Sequence, residues 1–418
     1  MRVGYKKTLI GDIPIDWELR RLKEVADFSN GKGHEQSIDE NGKYIVVNSK
    51  FISTDTRVKK FSNQNLCPLK KNDITIVMSD IPNGRAIAKC FIVDEDDRYT
   101  LNQRIGSLTA KEGVNTKFLY YLINRNKYYL AFDNGVGQTN LRKDEVTNCP
   151  IQFPKLEEQQ KIGEILSTVD AKIEIIDQQV IQTQELKKGL MQRLLTKGIG
   201  HTEFKDSPLG EIPKSWEVVK ISKIAYVNKD SLPNTTVDDF KFYYIDLSSV
   251  KSGKIEFPNE KMKYSDSPSR ARRILKRGDV IMATVRPNLL GFGYANFDTQ
   301  NYICSTGFAL LSHKENSNGQ FIYQNLYSDS VQSQINKLIV GSNYPAINSS
   351  DVKNIKIPLP PLNEQNKIAE ILLSVDEKLD VLSDKKADYQ ELKQGLMQQL
   401  LTGKVRVNGL IDKSQLEN

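Results

Sequence analysis

Three turn segments in the first half of the chain carry side chains that could bind a polyanion. The groups offered are hydroxyl, amide and guanidinium groups, at Ser79, Asn83, Arg85, Asn102, Gln103, Arg104, Gln138, Asn140 and Arg142. Guanidinium groups suit phosphates and guanine edges, whereas the amides of Asn and Gln suit adenine edges. We therefore predict that these turns contact DNA, although a solvated surface explains any one of them at least as well.

Similar turns recur in the second half of the chain. Residues 269–277 hold five cations in nine positions, and VRPN and GSNY follow further along. The candidate DNA contacts there are Arg270, Arg272, Arg273, Arg286, Asn288, Asn343 and Tyr344. Their recurrence at corresponding places in both halves favours DNA binding over scattered surface charge.

The motifs of the common catalytic sites are missing. The sequence contains no GxxxxGK[ST] phosphate loop and no NPPY-type methyltransferase tetrapeptide. The four cysteines form no CxxC pair and are interpreted as small buried residues. His34, His201 and His313 are scattered, so we expect them at the surface or in loops. The chain is predicted to be no enzyme by itself, with no catalytic residue, metal or bound cofactor.

The chain is a tandem duplication. Residues 156–196 match residues 362–402 at 22 of 41 positions, and IGDIPIDW (10–17) recurs as LGEIPKSW (209–216). Counting Lys and Arg against Asp and Glu gives net charges of +6 for residues 1–155 and +4 for 201–361. The two well-matched segments carry no surplus, so the polyanion partner is predicted to meet the two large parts.

The repeated segments are predicted to be two long helices that pair. Their apolar residues alternate at spacings of three and four, so each helix carries one apolar stripe that must be covered. We predict antiparallel pairing inside one chain, with core helices of two unconnected domains as the alternative. The heptad spacing slips near Leu186, where Leu186, Leu190 and Leu194 take over at four-residue steps. Helix pairing or partner docking is assigned to Leu166, Val169, Ile173, Ile176, Leu190, Met191, Leu194, Leu372, Val375, Leu379, Leu382, Leu396, Met397 and Leu400.

The predicted fold class is α+β. Short strand-like runs and amphipathic helical stretches indicate two mixed α/β globular domains, joined by two long antiparallel helices in an intramolecular coiled coil with pseudo-two-fold symmetry. The predicted segments are 1–155, 156–200, 201–361, 362–405 and a tail at 406–418. No apolar run reaches the roughly 20 residues of a membrane span, and no signal peptide is evident, so we expect a cytoplasmic protein.

This order of motifs resembles the specificity subunits of type I restriction–modification systems. The matching residues are Pro154, Leu156, Glu158, Gln159, Lys161 and Ile162, and again Pro360, Leu362, Glu364, Gln365, Lys367 and Ile368. The resemblance implies that each globular domain is a target-recognition domain reading one half of a split double-stranded DNA sequence. It also implies that the helices set the spacer and dock two modification (methyltransferase) subunits.

The same resemblance places the chemistry on other chains. S-adenosylmethionine, ATP and Mg²⁺ are expected on the modification subunits and on separate restriction or translocase subunits. Two diverged domains related by pseudo-symmetry would read different half-sites about one turn, roughly 34–36 Å, apart. Binding by the isolated chain is expected to be weak and salt-dependent. A structural adaptor with an intramolecular coiled coil remains the alternative; it explains the helices but not where the positive charge lies.

Overall fold

The computed structural model describes residues 4–81, 84–251, 253–339 and 345–411. The chain divides into two compact units, Met1–Asp177 with Lys385–Asn418 (unit 1) and Gln178–Asp384 (unit 2). Each unit contains one globular repeat, part of the first long helix and part of the second. The units therefore cut across the five segments predicted from the sequence.

Most helices are short, and two are long. Those of the described residues are α1 (Leu22–Val25), α2 (Ser49–Ser53), α3 (Thr116–Ile123), α4 (Lys127–Leu130), α5 (Lys143–Thr147), α6 (Leu156–Lys197), α7 (Ile221–Ile224), α8 (Gly319–Leu326), α9 (Asp329–Leu338), α10 (Ser349–Asn354) and α11 (Leu362–Leu400). Helix α6 contains no proline. It is followed directly by Gly198, whose φ of 64° is a left-handed conformation that glycine adopts without strain.

The strands of unit 1 are short and lie between turns. They are β1 (Tyr5–Thr8), β2 (Gly11–Pro14), β3 (Glu18–Arg21), β4 (Ala26–Asn30), β5 (Tyr44–Val47), β6 (Phe61–Ser62), β7 (Ile74–Val77), β8 (Ser79–Asp80), β9 (Cys90–Ile92), β10 (Tyr99–Leu101), β11 (Ile105–Ala110), β12 (Thr139–Asn140) and β13 (Pro150–Phe153). An antiparallel sheet has the order β4-β11-β7-β9, and a second sheet, β10-β5-β6, contains the parallel pair β10–β5.

Unit 2 repeats this architecture. Its strands are β14 (Phe204–Lys205), β15 (Ile212–Pro213), β16 (Glu217–Lys220), β17 (Ala225–Val227), β18 (Lys241–Ile245), β19 (Val250–Lys251), β20 (Lys254–Ile255), β21 (Met262–Lys263), β22 (Ala271–Ile274), β23 (Val280–Ala283), β24 (Phe292–Tyr294), β25 (Tyr302–Ser305), β26 (Phe308–His313) and β27 (Lys356–Leu359). The order β17-β26-β23-β24 matches the first sheet of unit 1, and β21-β18-β25-β22 contains the parallel pair β18–β25. The predicted mixed α/β repeats are thus present.

In each unit, parts of both long helices pack against the globular repeat. Ile162, Leu166 and Leu400 join the main core of unit 1, and Leu194 and Leu372 join that of unit 2. All fourteen residues of the predicted stripe are buried or half-buried. Burial of one apolar face against a sheet domain and a neighbouring helix accounts for the conserved spacing.

The helix segments inside each unit run antiparallel. In unit 1, Lys393 Nζ lies 2.6 Å from an Asp170 carboxylate oxygen, and Lys386 pairs with Asp177. One residue number rises as its partner's falls, which defines an antiparallel pair. In unit 2, Lys187 Nζ lies 2.6 Å from an Asp376 carboxylate oxygen, at the positions that the duplication matches to Lys393 and Asp170.

Three sequence predictions need correction. Leu186 is exposed and does not join the packed stripe, because the helix face turns outward there. His34 lies in a loop, one of the two predicted alternatives, but it is buried there and not at the surface; its ring nitrogens lie 2.8 Å from the Lys32 carbonyl and from Thr100 Oγ1. One of the amphipathic helical stretches seen in the sequence, residues 115–132, is broken at Arg125, whose φ is 55°, and forms α3 and α4.

Candidate nucleic-acid interface

Two of the predicted turns of unit 1 meet where β7 ends. Strand β8 pairs with β12, so Ser79 lies opposite Asn140 and Asp80 lies opposite Thr139. The Gln138 side-chain amide donates a hydrogen bond to Ser79 Oγ at 2.7 Å, and Ser79 Oγ donates to Asn140 Oδ1 at 2.7 Å. The structure therefore assembles three of the predicted residues into one polar cluster.

The third predicted turn of unit 1 reaches the same end of the sheet. The Met78 amide donates to the Arg104 carbonyl at 2.9 Å, because β11 starts opposite the end of β7. Arg104 is exposed and has a φ of 67°, a left-handed conformation uncommon for a residue with a side chain. Gln103 is exposed and donates to Glu35, whereas Asn102 is half-buried against His34.

Cations flank this polar cluster. Arg85 and Arg142 are exposed, and Arg142 stands at the N-cap of α5, where its backbone amide donates to a Glu145 carboxylate oxygen at 2.7 Å. Together with Arg104 they place three guanidinium groups around amide and hydroxyl groups. Such a mixture can bind phosphates and base edges.

Unit 2 forms the same junction with different side chains. An antiparallel bridge joins Val285 to Ala346, and the Arg286 amide donates to the Pro345 carbonyl at 2.7 Å. These are the positions that match the β8–β12 pair of unit 1. Arg286 and Asn288 are exposed, so the predicted VRPN residues lie at the same end of the sheet as their counterparts.

Of the three candidate arginines in the arginine-rich segment of unit 2, one is exposed and two contact neighbouring side chains. The Thr306 amide donates to the Arg270 carbonyl at 2.8 Å, which brings exposed Arg270 to the turn between β25 and β26. Arg272 lies 4.9 Å over the ring of Tyr264. Arg273 donates to Ser231 Oγ at 3.1 Å, and burial lowers the pKa of its guanidinium. Arg270 is therefore the accessible member of the three.

Three predicted contacts, Asn83, Asn343 and Tyr344, lie outside the described residues. Asp80 was missed by the sequence reasoning, although it lies inside a segment that drew attention. Its carboxylate accepts hydrogen bonds from the amides of Ile81, Ala86 and Ile87 at 2.9, 2.6 and 3.0 Å. The aspartate stands one residue before Pro-Asn-Gly, in the sequence Asp-Ile-Pro-Asn-Gly, and this turn signature could have revealed its organising role.

The duplicated motif residues at the helix starts are structural. Glu158 accepts a hydrogen bond from Trp17 Nε1 at 2.9 Å, and Glu364 accepts one from Trp216 Nε1 at 3.0 Å. Both carboxylates lie between the long helix and the IP-x-x-W segment of their own unit. This contact explains why the two distant motifs occur together in each repeat.

The neighbouring glutamines tie each helix start to a helix of the globular repeat. Gln159 Oε1 accepts from the Asn115 amide at 2.9 Å, and Asn115 caps α3 through the Phe118 amide. Gln365 Oε1 accepts from the Asn318 amide at 3.0 Å, and Asn318 caps α8. Gln159 and Gln365 thus fix the start of each long helix against a short helix of the same globular repeat.

Two general features bear on the kind of site. None of the helices in the described ranges is long and apolar enough to cross a membrane. Where the structure describes the chain, no group of three or more His, Cys, Asp or Glu residues is arranged to hold a metal ion. The geometry found is that of polar and cationic loops at one end of a sheet, present in both units.

Comparison with known proteins agrees with a chain built from two similar repeats. The family model described as "Type I restriction modification DNA specificity domain" matches residues 14–185 and 213–391. The chain is 30% identical over 429 residues to a Methanocaldococcus jannaschii chain named as the specificity subunit of type I restriction enzyme MjaX, covering 97% of each. It is 28% identical over 411 residues to the MjaVIII specificity subunit of that organism, covering 95% of each.

A solved structure shares the fold. The S subunit of a type I restriction–modification system from M. genitalium superposes with a TM-score of 0.62 at 17% identity, over 92% of this chain and 96% of that one. The family model matches the chain twice, and the alignment with the archaeal relative covers almost the whole of both chains. The chain belongs to the family of type I restriction–modification specificity subunits.

Proposed function

We propose that this chain recognises a bipartite, asymmetric DNA target, one block through each unit. The observation that carries the proposal is the junction found twice, at β8–β12 and at the Val285–Ala346 bridge. In both places the loops with exposed arginines and amides lie together at one end of a four-stranded sheet. A single basic patch would suit non-specific binding, whereas two such ends suit two separate readouts.

The two blocks are expected to differ because the two junctions differ chemically. Unit 1 presents the exposed amide side chains of Gln138 and Asn140, which can donate to and accept from base edges, and the buried Ser79 hydroxyl is hydrogen-bonded to both. Unit 2 has Val285 and Ala346 at the bridge and presents Arg286 and Asn288 from the neighbouring turn. Guanidinium groups favour guanine, whereas amides favour adenine.

Partner docking is proposed for the outer face of the long helices. Unit 1 exposes Ile175 and Leu392, and unit 2 exposes Leu186 and Val381. The duplication matches Ile175 to Val381 and Leu186 to Leu392, so each unit offers the same exposed aliphatic pair on antiparallel helix segments. Two identical modification subunits could bind these two equivalent surfaces, and an intramolecular coiled coil with pseudo-two-fold symmetry would present them.

Catalysis is proposed to reside on partner chains. Modification subunits would methylate adenine with S-adenosylmethionine, and restriction subunits would use ATP and Mg²⁺, with this chain supplying the DNA sequence preference. The site of action would be the cytoplasm. The residues of this chain would bind and orient DNA and move no proton.

Methylome sequencing of a host that carries the complete system tests the proposal. We expect a methylated motif of two short blocks separated by a constant gap. The variant Ser79→Ala with Asn140→Ala should alter only one block, and Arg286→Ala with Asn288→Ala should alter only the other. A continuous motif, or a change of both blocks by one variant pair, would contradict two independent readouts.

A further inference from the structure

The loop that follows β8 in unit 1 exposes a large aliphatic side chain beside the polar cluster. Ile81 is 69% exposed and directly follows Asp80, which pairs with Thr139. The Asp80 carboxylate accepts from the amides of Ile81, Ala86 and Ile87. These hydrogen bonds hold the backbone at Ile81 and again at Ala86 and Ile87, so the Ile81 side chain projects from a hydrogen-bonded residue.

Unit 2 exposes an aliphatic side chain at the corresponding end of its sheet. Leu289 is 64% exposed and closes the 3₁₀ turn Pro287–Leu289. The turn lies between Arg286, with φ of 50°, and Leu290, with φ of 55°. Left-handed backbone at two non-glycine residues is uncommon and persists only when the surroundings hold it. Leu289 is therefore also presented by a constrained turn.

Scattered exposed aliphatic residues are normal on protein surfaces. These two differ because each lies within a few residues of the groups proposed to read base edges. Both also follow the junction closely, Ile81 two residues after Ser79 and Leu289 four residues after Val285. The unit 1 loop is held by a carboxylate network, whereas the unit 2 turn is held by left-handed residues. Different backbone solutions that present the same type of side chain point to a shared ligand feature.

That feature can be identified from DNA chemistry. Hydrogen-bonding groups line the edges of the bases in the major groove, and the C5-methyl of thymine is the apolar group displayed there. An aliphatic side chain set among amides and guanidinium groups gains by covering this methyl group, and a backbone held before binding lowers the entropy cost of the contact.

We propose that Ile81 and Leu289 are specificity-determining residues that each contact a thymine methyl group, one in each block of the DNA target. The inference rests on the proposed function and adds the base and the atom that each unit recognises through an apolar contact. Each block must therefore contain at least one T·A pair whose methyl group contributes to binding.

The test combines a protein change with a DNA change. The full chain, assembled with its modification subunits, is titrated with duplexes that carry the methylome motif, with thymine or with uracil at each T position of one block. Uracil removes only the methyl group. At one position per block we expect about a four-fold loss of affinity, the size of one buried methyl group.

The variants Ile81→Ala and Leu289→Ala complete the cycle. Ile81→Ala should lower affinity for the thymine duplex and abolish the thymine-over-uracil preference at one position of the first block only. Leu289→Ala should do the same in the other block. Val237→Ala and Leu9→Ala, at residues that are 63% and 77% exposed and belong to neither junction, are the matched controls and should leave every preference unchanged.

The outcomes separate this inference from the proposed function. A bipartite motif with normal binding, but with additive effects of Ile81→Ala and uracil, would overturn the thymine contact and leave the function intact. A block that lacks thymine would also overturn it for that unit. Absence of any bipartite motif would instead refute the proposed function itself.

Discussion

The two helix starts use a corresponding glutamate, buried in unit 1 and half-buried in unit 2, with different counterparts. In unit 1, Glu158 accepts from Trp17 and from Arg406, whose Nε lies 2.8 Å from Oε1. In unit 2, Glu364 accepts from Trp216 and from the Ile199 amide at 2.9 Å, and His201 Nε2 lies 2.8 Å from the same oxygen. The first counterpart comes from the chain after α11, and the second from the linker after α6.

This difference shows which parts of a repeat are free to change. A buried carboxylate needs partners, since an unpaired one is costly. Glu and Trp are therefore retained in both units, but any donor on the following chain can complete the set. The matched ends of the repeats thus have an internal reason for similarity, in addition to the proposed docking of two modification subunits.

The largest expected effect is a destabilisation that differs between the two carboxylates. Glu158→Ala leaves the Arg406 guanidinium and the buried Trp17 indole without their acceptor and should cost about 3–5 kcal/mol of unfolding free energy. Glu364→Ala leaves the Trp216 indole and the Ile199 amide without their acceptor and should cost about 1–3 kcal/mol. Urea denaturation, followed by tryptophan fluorescence, measures both.

The chain offers its own reporters for this experiment. It contains two tryptophans, Trp17 and Trp216, one in each unit. Single-tryptophan variants made with Phe therefore follow each unit separately. Glu174→Ala, at an exposed position of α6, is the control and should change stability by less than about 0.5 kcal/mol. Equal losses for the two carboxylates would show that the charge of the partner does not matter.

A smaller effect, similar in both units, is expected at the helix-pairing aspartates. Asp170 accepts from Tyr121 Oη at 2.6 Å and pairs with Lys393, and Asp376 accepts from Gln324 Nε2 at 2.8 Å and pairs with Lys187. Asp170→Asn and Asp376→Asn should each cost about 1 kcal/mol. The same denaturation experiment measures these losses.

A charge reversal separates the contribution of the ion pair at Asp170 from that of the tyrosine hydrogen bond. Asp170→Lys combined with Lys393→Asp should recover part of the loss of either single change, because it rebuilds the ion pair. The loss of the Tyr121 hydrogen bond would remain. Complete absence of recovery would mean that the tyrosine contact, and not the ion pair, stabilises the antiparallel helices.

The smallest effect is a pH dependence confined to unit 1. Hydrogen bonds from Arg406 to Asp16, at 2.8 and 2.6 Å, hold the pKa of the Asp16 carboxyl below its ordinary value of 3.8. A lowered folded-state pKa contributes stability that is fully present above 3.8 and is lost as pH falls through the folded-state value.

Asp16→Asn should therefore lower stability slightly at neutral pH, and its difference from the unaltered chain should shrink as the pH drops below 3.8. Thermal unfolding at a series of pH values checks this. Asp12→Asn, in the neighbouring hairpin, is the matched control. A difference that grows in acid would contradict the assigned direction.

Much of the organisation could be predicted from sequence periodicity and repetition. The alternation of apolar residues from Leu166 to Ile176, and again from Leu372 to Leu382, predicted the helices and the buried faces, because burial acts through local spacing along one helix. The stripe prediction failed at Leu186. A step of four residues is slightly more than one helical turn, so successive four-residue steps move the side chains around the helix and away from the buried face.

The candidate site could be predicted only as a set of residue types. Turn chemistry singled out Ser79, Gln138 and Arg286, because polar groups in turns are recognisable without a structure. Which of them meet depends on strand pairing across about 60 residues, and no local pattern encodes that pairing. For the same reason, the hydrogen bond from Arg273 to Ser231 could not be predicted from the sequence.

The sequence by itself determined the duplication, the two long helices and the family, since each follows from repeated residues at short, regular spacing. Only the tertiary structure decided that Glu158 and Glu364 hold the tryptophans of their own repeats. It alone also placed the turns of each unit at one end of a sheet, with Ile81 and Leu289 projecting beside them. Contacts between residues distant along the chain depend on how strands pair and helices pack, and local spacing carries no record of them.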